Sequence, residues 1–246
     1  MWIPSWLGEI YSRLCVTFGT ELFTLEEARR VLPYTENKLA VAFSKLHSKR
    51  ILLVFEVTRP RIYRLLDPKN FLLLASDSIR DLGGIAQERY VKLLCDAFRL
   101  VSKSLDLSSL AVYGTVARGT ARKDSDIDLL VVSKDFVGSL GARIERLLSV
   151  EEQLREELTW LRKHSIHTGL SFHPLQKEEA ERLSLLFLDL TEDAVILYDK
   201  NRFLERVLTE FRARLLKLGA KRIFINGENW YWDLKPDYSF GEEIPI

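Results

Sequence analysis

Leu110-Ala111-Val112-Tyr113-Gly114-Thr115-Val116-Ala117-Arg118-Gly119 and, after a short interval, Ser125-Asp126-Ile127-Asp128-Leu129-Leu130-Val131-Val132 form two apolar runs joined by a glycine turn and a carboxylate pair. Ala111, Val112 and Tyr113 read as a buried strand that Gly114 breaks, because only glycine turns the backbone so tightly at little cost. A helix is expected over Val116–Arg122, leaving unpaired backbone N–H groups near Thr115, an arrangement that favours a phosphate. Asp126 and Asp128 open the second strand, where residues two apart share a face and lie roughly 6.6 Å apart along it. Two like charges brought together need a cation, and hard oxygen ligands suit Mg²⁺, which takes one or two carboxylates plus substrate phosphates.

These residues resemble the Gly-Ser then Asp-x-Asp signature of the polymerase β nucleotidyltransferase superfamily, with Thr115 in place of the serine. The resemblance implies an α/β (α+β) fold with a mixed sheet and flanking helices. It also implies Mg²⁺ or Mn²⁺ on Asp126 and Asp128 as the catalytic pair, and a nucleoside triphosphate held by Gly114, Thr115, Arg118 and Ser125. An acceptor hydroxyl would attack the α-phosphorus while pyrophosphate leaves, with catalysis by positioning and charge neutralisation. Arg118 reaches the triphosphate or fixes an acid on this reading; a plain surface salt bridge is the alternative. No Gly-rich loop ending in Gly-Lys-Ser/Thr and no strand followed by Gly-x-Gly-x-x-Gly occurs, so other phosphate-binding motifs have no support.

Active members of that superfamily generally add a third carboxylate from a later strand, as metal ligand or general base. The expected strand, Ser165–Phe172, carries no acid, and Glu178 and Glu179 beyond it fall on an expected helix. His167 or His173 can substitute as the base, since histidine titrates near neutrality; packing is the competing role for both.

Charge excludes a general affinity for polyanions: 36 basic and 35 acidic residues leave +1, so any nucleic-acid surface must be local. Cys15 and Cys95 sit in apolar helical patterns, consistent with buried reduced thiols. No run of about 18 apolar residues and no charged leader with an apolar core occurs, giving the expectation of a cytoplasmic protein with no membrane partner.

The first 76 residues read as a separate module ahead of a unit spanning 77–246. Leu7, Ile10, Tyr11 and Leu14 make a helical stripe. Thr24 caps a helix over Leu25–Leu32, and Thr35 caps a third whose buried stripe is Leu39, Phe43 and Leu46. Ile51–Val57 and Ile62–Leu66 then form a hairpin with Arg59 and Arg61 at its tip. This order resembles a winged helix-turn-helix domain, in which the third helix enters the DNA major groove. Ten Lys and Arg against seven Asp and Glu through Asp67 suit that partner, with Lys38, Lys45, Arg59 and Arg61 as the phosphate contacts. Winged helices also dock proteins, so DNA or RNA binding and protein docking both stay open.

Asp77–Gly84 is expected to be a hinge, followed by helices over Ile85–Leu105, Leu140–Lys163, Lys177–Asp189 and Arg202–Leu218 and a strand over Ala194–Tyr198. Lys221–Ile225, Asn226-Gly227 and Glu228–Leu234 give a C-terminal β-hairpin. Trp232–Asp237 looks similar to the end of archaeal proteins that carry this nucleotidyltransferase domain. Trp230 and Trp232 either stack a base or close the core. Two functions follow: a nucleotidyltransferase acting on an acceptor hydroxyl, or a nucleic-acid-binding regulator whose transferase-like domain senses nucleotide or is inactive. Oligomeric state is open.

Overall fold

The computed structural model describes residues 3–226 and 229–238. Its first part runs α1 (Ser5–Phe18), β1 (Leu22–Phe23), α2 (Leu25–Val31), α3 (Glu36–Ser48), β2 (Leu52–Glu56) and β3 (Ile62–Leu65). Both expected caps form. Thr24 and Glu27 make a reciprocal capping box on α2, and the Thr35 hydroxyl accepts from the Lys38 amide, each worth about 1 kcal/mol to its helix. The strands pair antiparallel in the order β1-β3-β2. They cover a core of Leu7, Ile10, Leu14, Leu39, Phe43 and Leu46, where Phe23 and Tyr63 meet Phe43 edge-on.

The second part continues with α4 (Pro68–Ala75), α5 (Val91–Ser104), β4 (Leu107–Tyr113), α6 (Gly114–Arg118), β5 (Ile127–Ser133), α7 (Leu140–Gln153), α8 (Arg155–Lys163), β6 (Leu170–Leu175), α9 (Lys177–Glu181), α10 (Leu186–Asp193), β7 (Val195–Asp199), α11 (Phe203–Leu218), β8 (Lys221–Asn226) and β9 (Asn229–Asp233). The mixed sheet has the order β6-β5-β4-β7, with β5 and β6 parallel and the other pairs antiparallel. One face, including Leu110, Val112, Leu129 and Val131, packs with residues of α5 and α7. The other, including Ala111, Leu130 and Val132, packs with α10 and α11. Burial on both faces is why Leu110–Tyr113 of β4 and Leu129–Val132 of β5 read as unbroken apolar runs. β8 and β9 form a separate hairpin; its Asn-Gly turn lies partly outside the described residues, as does the 239–246 end.

Several elements depart from expectation. The 77–84 segment does not behave as a free hinge: Ile79 and Leu82 are buried in the sheet's core, and the Arg80 amide bonds the Leu197 carbonyl at 2.8 Å. The helix expected over Ile85–Leu105 begins only at Val91, and the one over Leu140–Lys163 breaks at Leu154, which caps both halves. The helix expected over Lys177–Asp189 also splits, around Leu183, whose φ is 56°. Strand β6 starts at Leu170 instead of Ser165. Ser165 adopts a left-handed φ of 62° and the Ile166 amide returns to the Leu161 carbonyl, so 165–166 finish α8.

Arg64, one of the ten N-terminal cations, is not on the surface. It is 1% exposed, and its guanidinium lies 3.4 Å over the Trp160 ring and forms a two-pronged ion pair with Glu157 of α8. Glu157 also receives Lys92 at 2.8 Å, and Lys92 binds Asp96 at 2.7 Å. This buried network joins β3 to α5 and α8. Taking such charges out of water is tolerable only with every partner in place.

Candidate functional site

The site is built where β4 and β5 run side by side. Their register pairs Tyr113 with Asp128, so the turn after Tyr113 falls against that carboxylate. Gly114 has φ 69°, and a Cβ there would lie 2.3 Å from Asp128 Oδ2. Glycine is required twice over, for backbone conformation and for space. The helix that follows is shorter and earlier than expected, Gly114–Arg118, because Gly119 closes it in the left-handed conformation at φ 74°.

Asp126 precedes β5 and its Oδ1 accepts the Gly169 amide at 2.9 Å. Glu151 of α7 approaches the same place, accepting from the Leu170 amide at 3.4 Å. Gly169 is confined between them: a Cβ would meet Asp126 Oδ1 at 3.2 Å and Glu151 Oε1 at 3.5 Å. Asp128 is half-buried. Burial pushes its carboxyl above the usual range and the Asp126 charge adds to this, against a hydrogen bond from Ser171 and the charge of Arg118. The neighbouring Tyr113 hydroxyl is pushed up to about 12, by burial first and by Asp128 second.

A carboxylate held in this way, beside a second one, lacks positive charge, and a hard divalent cation would supply it. Asp126 and Asp128 fit that group by donor type. Among the described residues no three His, Cys, Asp or Glu side chains stand together as ligands of one ion, so remaining ligands would be phosphate oxygens or water.

β6 carries no Asp or Glu, as the sequence indicates. Ser171 stands opposite Asp128 and His173 opposite Leu130. Burial lowers the His173 pKa below its ordinary value, with Glu179 opposing weakly. His167 lies before the strand, exposed, its amide bonded to the Lys123 carbonyl. Neither histidine is hydrogen-bonded to Asp126 or Asp128 in the described structure. Glu178 and Glu179 sit on α9, where the Glu179 carboxylate takes Arg143 at 2.5 Å and the Gln176 amide at 2.7 Å.

Thr115, Arg118 and Ser125 open onto one cavity of about 590 Å³, together with Arg122. The Ser125 hydroxyl accepts the Arg122 amide at 2.9 Å, which shapes that loop. Arg118 donates to Asp193 at 3.3 Å. The opposite wall is Asp193 at the end of α10 with Arg222, Phe224, Asn229 and Trp230 of the C-terminal hairpin, and of these the sequence points to Trp230 alone. The only sequence signal toward it was the aromatic content of the hairpin.

Lys38 and Lys45 are exposed on α3, with Nζ 4.5 Å from the Tyr34 ring and 5.7 Å from the Trp6 ring respectively. Arg59 and Arg61 are exposed in the loop joining β2 to β3. Among the described residues no helix is long and apolar enough to cross a membrane.

Against known proteins, residues 95–186 match the model of the nucleotidyltransferase domain, which covers β4, α6, β5 and β6. No curated protein matches. Among solved structures the chain is similar to one described as a toxin-antitoxin with AMP-PNP: 15% identity over 50% of this chain and 90% of that chain, TM-score 0.35. It is also similar to a MntA-HepT toxin-antitoxin, at 13% identity over 51% and 92% of the two chains, TM-score 0.31.

Proposed function

We propose that this protein transfers a nucleoside monophosphate from a nucleoside triphosphate to an acceptor hydroxyl. The observation that carries the proposal is the apposition of Gly114 to Asp128 within a segment that matches the nucleotidyltransferase domain. The turn is thereby held directly against the carboxylate, which is the arrangement a phosphate and its cation need.

Asp126 and Asp128 would hold Mg²⁺ or Mn²⁺. When bound, that ion neutralises charge on the triphosphate and polarises the phosphorus under attack. The chain's own residues do the remaining work. Gly169 fixes Asp126 through its amide, and Ser171 fixes Asp128, so the pair is oriented before any ligand arrives. Thr115 and Ser125 offer hydroxyls to phosphate oxygens, Gly114 lets the turn approach them, and Arg118 adds charge.

The absence of an acid from β6 favours a second reading, a nucleic-acid-binding regulator in which the same cavity senses nucleotide without turnover. Three helices followed by a hairpin support a winged-helix N-terminus, and the exposed Lys38, Lys45, Arg59 and Arg61 would make its contacts to DNA or RNA phosphates. The two readings part in one experiment. The protein is incubated with each labelled triphosphate, Mg²⁺ or Mn²⁺ and candidate acceptors, beside the Asp126→Asn/Asp128→Asn variant. Product from the wild type alone supports transfer; metal-dependent binding without product supports the sensor; no binding at all rejects both.

A further inference from the structure

The cavity beside the glycine turn has a second wall that comes from the far end of the chain. Arg222 of β8 makes a two-pronged ion pair with Asp193, both contacts at 2.8 Å, and Arg118 donates to the same carboxylate. One acid therefore holds two guanidinium groups side by side. Trp230 backs them both, with its ring 3.9 Å from the Arg222 carbon and 4.6 Å from that of Arg118. The ring itself is fixed, because its indole N–H donates to Asp189 at 2.9 Å and the Trp232 indole donates to the same oxygen at 3.0 Å.

The lining of the cavity is rich in arginine. Arg118, Arg122 and Arg222 line the cavity next to the hydroxyls of Thr115 and Ser125, and Asp193 is the one acid among its lining residues; Asp189 and Glu192 also act on Arg222 from outside that lining. A structural ion pair needs no third arginine and no cavity. Guanidinium groups pinned by a shared carboxylate and stacked on an aromatic ring present their remaining N–H groups without losing rotamer freedom on binding. Their planar geometry matches phosphate oxygens.

We propose that the C-terminal hairpin belongs to the nucleotide site, and that Arg222, coupled to Arg118 through Asp193, binds the terminal phosphates of the triphosphate. This rests on the nucleotide reading given above. The hairpin then distinguishes triphosphates from monophosphates, and Trp230 is a positioning residue that acts through the two arginines.

The test is titration calorimetry on the full chain with Mg²⁺, using inorganic tripolyphosphate, a nucleoside triphosphate and the matching monophosphate as probes. Arg222→Ala weakens tripolyphosphate and triphosphate binding about ten- to hundredfold and leaves the monophosphate unchanged. Arg222→Lys, which keeps the charge and the hairpin's shape, falls between. Tyr231→Ala, an exposed residue on the neighbouring strand β9 of the same hairpin, binds all three as the wild type does. Equal triphosphate affinity in the wild type and Arg222→Lys and Arg222→Ala variants overturns the proposal, as does an equal loss for the monophosphate. If Asp126→Asn/Asp128→Asn abolishes triphosphate binding while the Arg222 variants retain it, this inference alone falls. If the wild type binds neither tripolyphosphate nor triphosphate, the nucleotide reading falls with it.

Discussion

Replacing Gly114 with alanine tests the geometry of the site most directly. An L-residue held at φ 69° costs about 1–2 kcal/mol. The added Cβ would also sit 2.3 Å from Asp128 Oδ2, so the carboxylate must rotate away, at roughly 0.5–1.5 kcal/mol if it leaves its rotamer. Together these predict a loss of about 1.5–3.5 kcal/mol and a melting temperature lower by roughly 3–14 °C for a chain of this size. Gly119→Ala is the control. It bears a similar backbone strain at φ 74°, but its Cβ meets the Ala86 methyl at 3.1 Å, away from the acids. Calorimetric unfolding should show both variants destabilised, while metal-dependent triphosphate binding fails in Gly114→Ala alone. In an Asp128→Ala background the steric part disappears and the cost of Gly114→Ala shrinks to the backbone term. A Gly114→Ala protein that melts and binds as the wild type would refute the reasoning.

Three other outcomes are expected. Glu157→Ala should cost about 3–5 kcal/mol in urea unfolding, because it strands the buried Arg64 and deprives Lys92 of a partner; a loss under about 1 kcal/mol would contradict the burial argument. Because burial lowers the His173 pKa, the unfolded chain takes up a proton near pH 6.5 that the native state resists, so stability drops as pH falls below that value. His173→Gln should flatten this dependence between pH 7.5 and 5.5, and an unchanged slope would rule the cause out. If Lys38, Lys45, Arg59 and Arg61 each meet a phosphate, log affinity for duplex DNA should fall against log salt with a slope of about −3 to −4; a flat dependence excludes the contacts.

What could be read from the sequence was local. Thr24 and Thr35 announce their helices because a cap is set by residues three apart, and both form as expected. The runs Leu110–Tyr113 and Leu129–Val132 announce a doubly covered sheet because burial on two faces removes alternation. The strand after α8 was placed five residues early because nothing in Ser165–Gly169 shows that Ser165 turns left-handed. Arg64 reads as one more surface cation in a basic hairpin; its partner is 93 residues away, and only the packed structure brings Glu157 and Trp160 to it. The arginine wall of the cavity is invisible for the same reason, since Arg118, Asp193 and Arg222 meet across more than 100 positions.

The Arg64–Glu157–Lys92 network sets a condition on how this chain can be taken apart. A fragment ending in the 77–90 segment would carry Arg64 without the Trp160 ring and the acid that cover it, and the remaining fragment would carry that acid, newly exposed on α8. Exchange of the N-terminal module for another therefore calls for a cation at the place of Arg64, because Glu157 and Lys92 stay on the other side. A graft that changes one side alone imports a charge mismatch into the seam, and its failure to fold would say nothing about whether the module itself is functional.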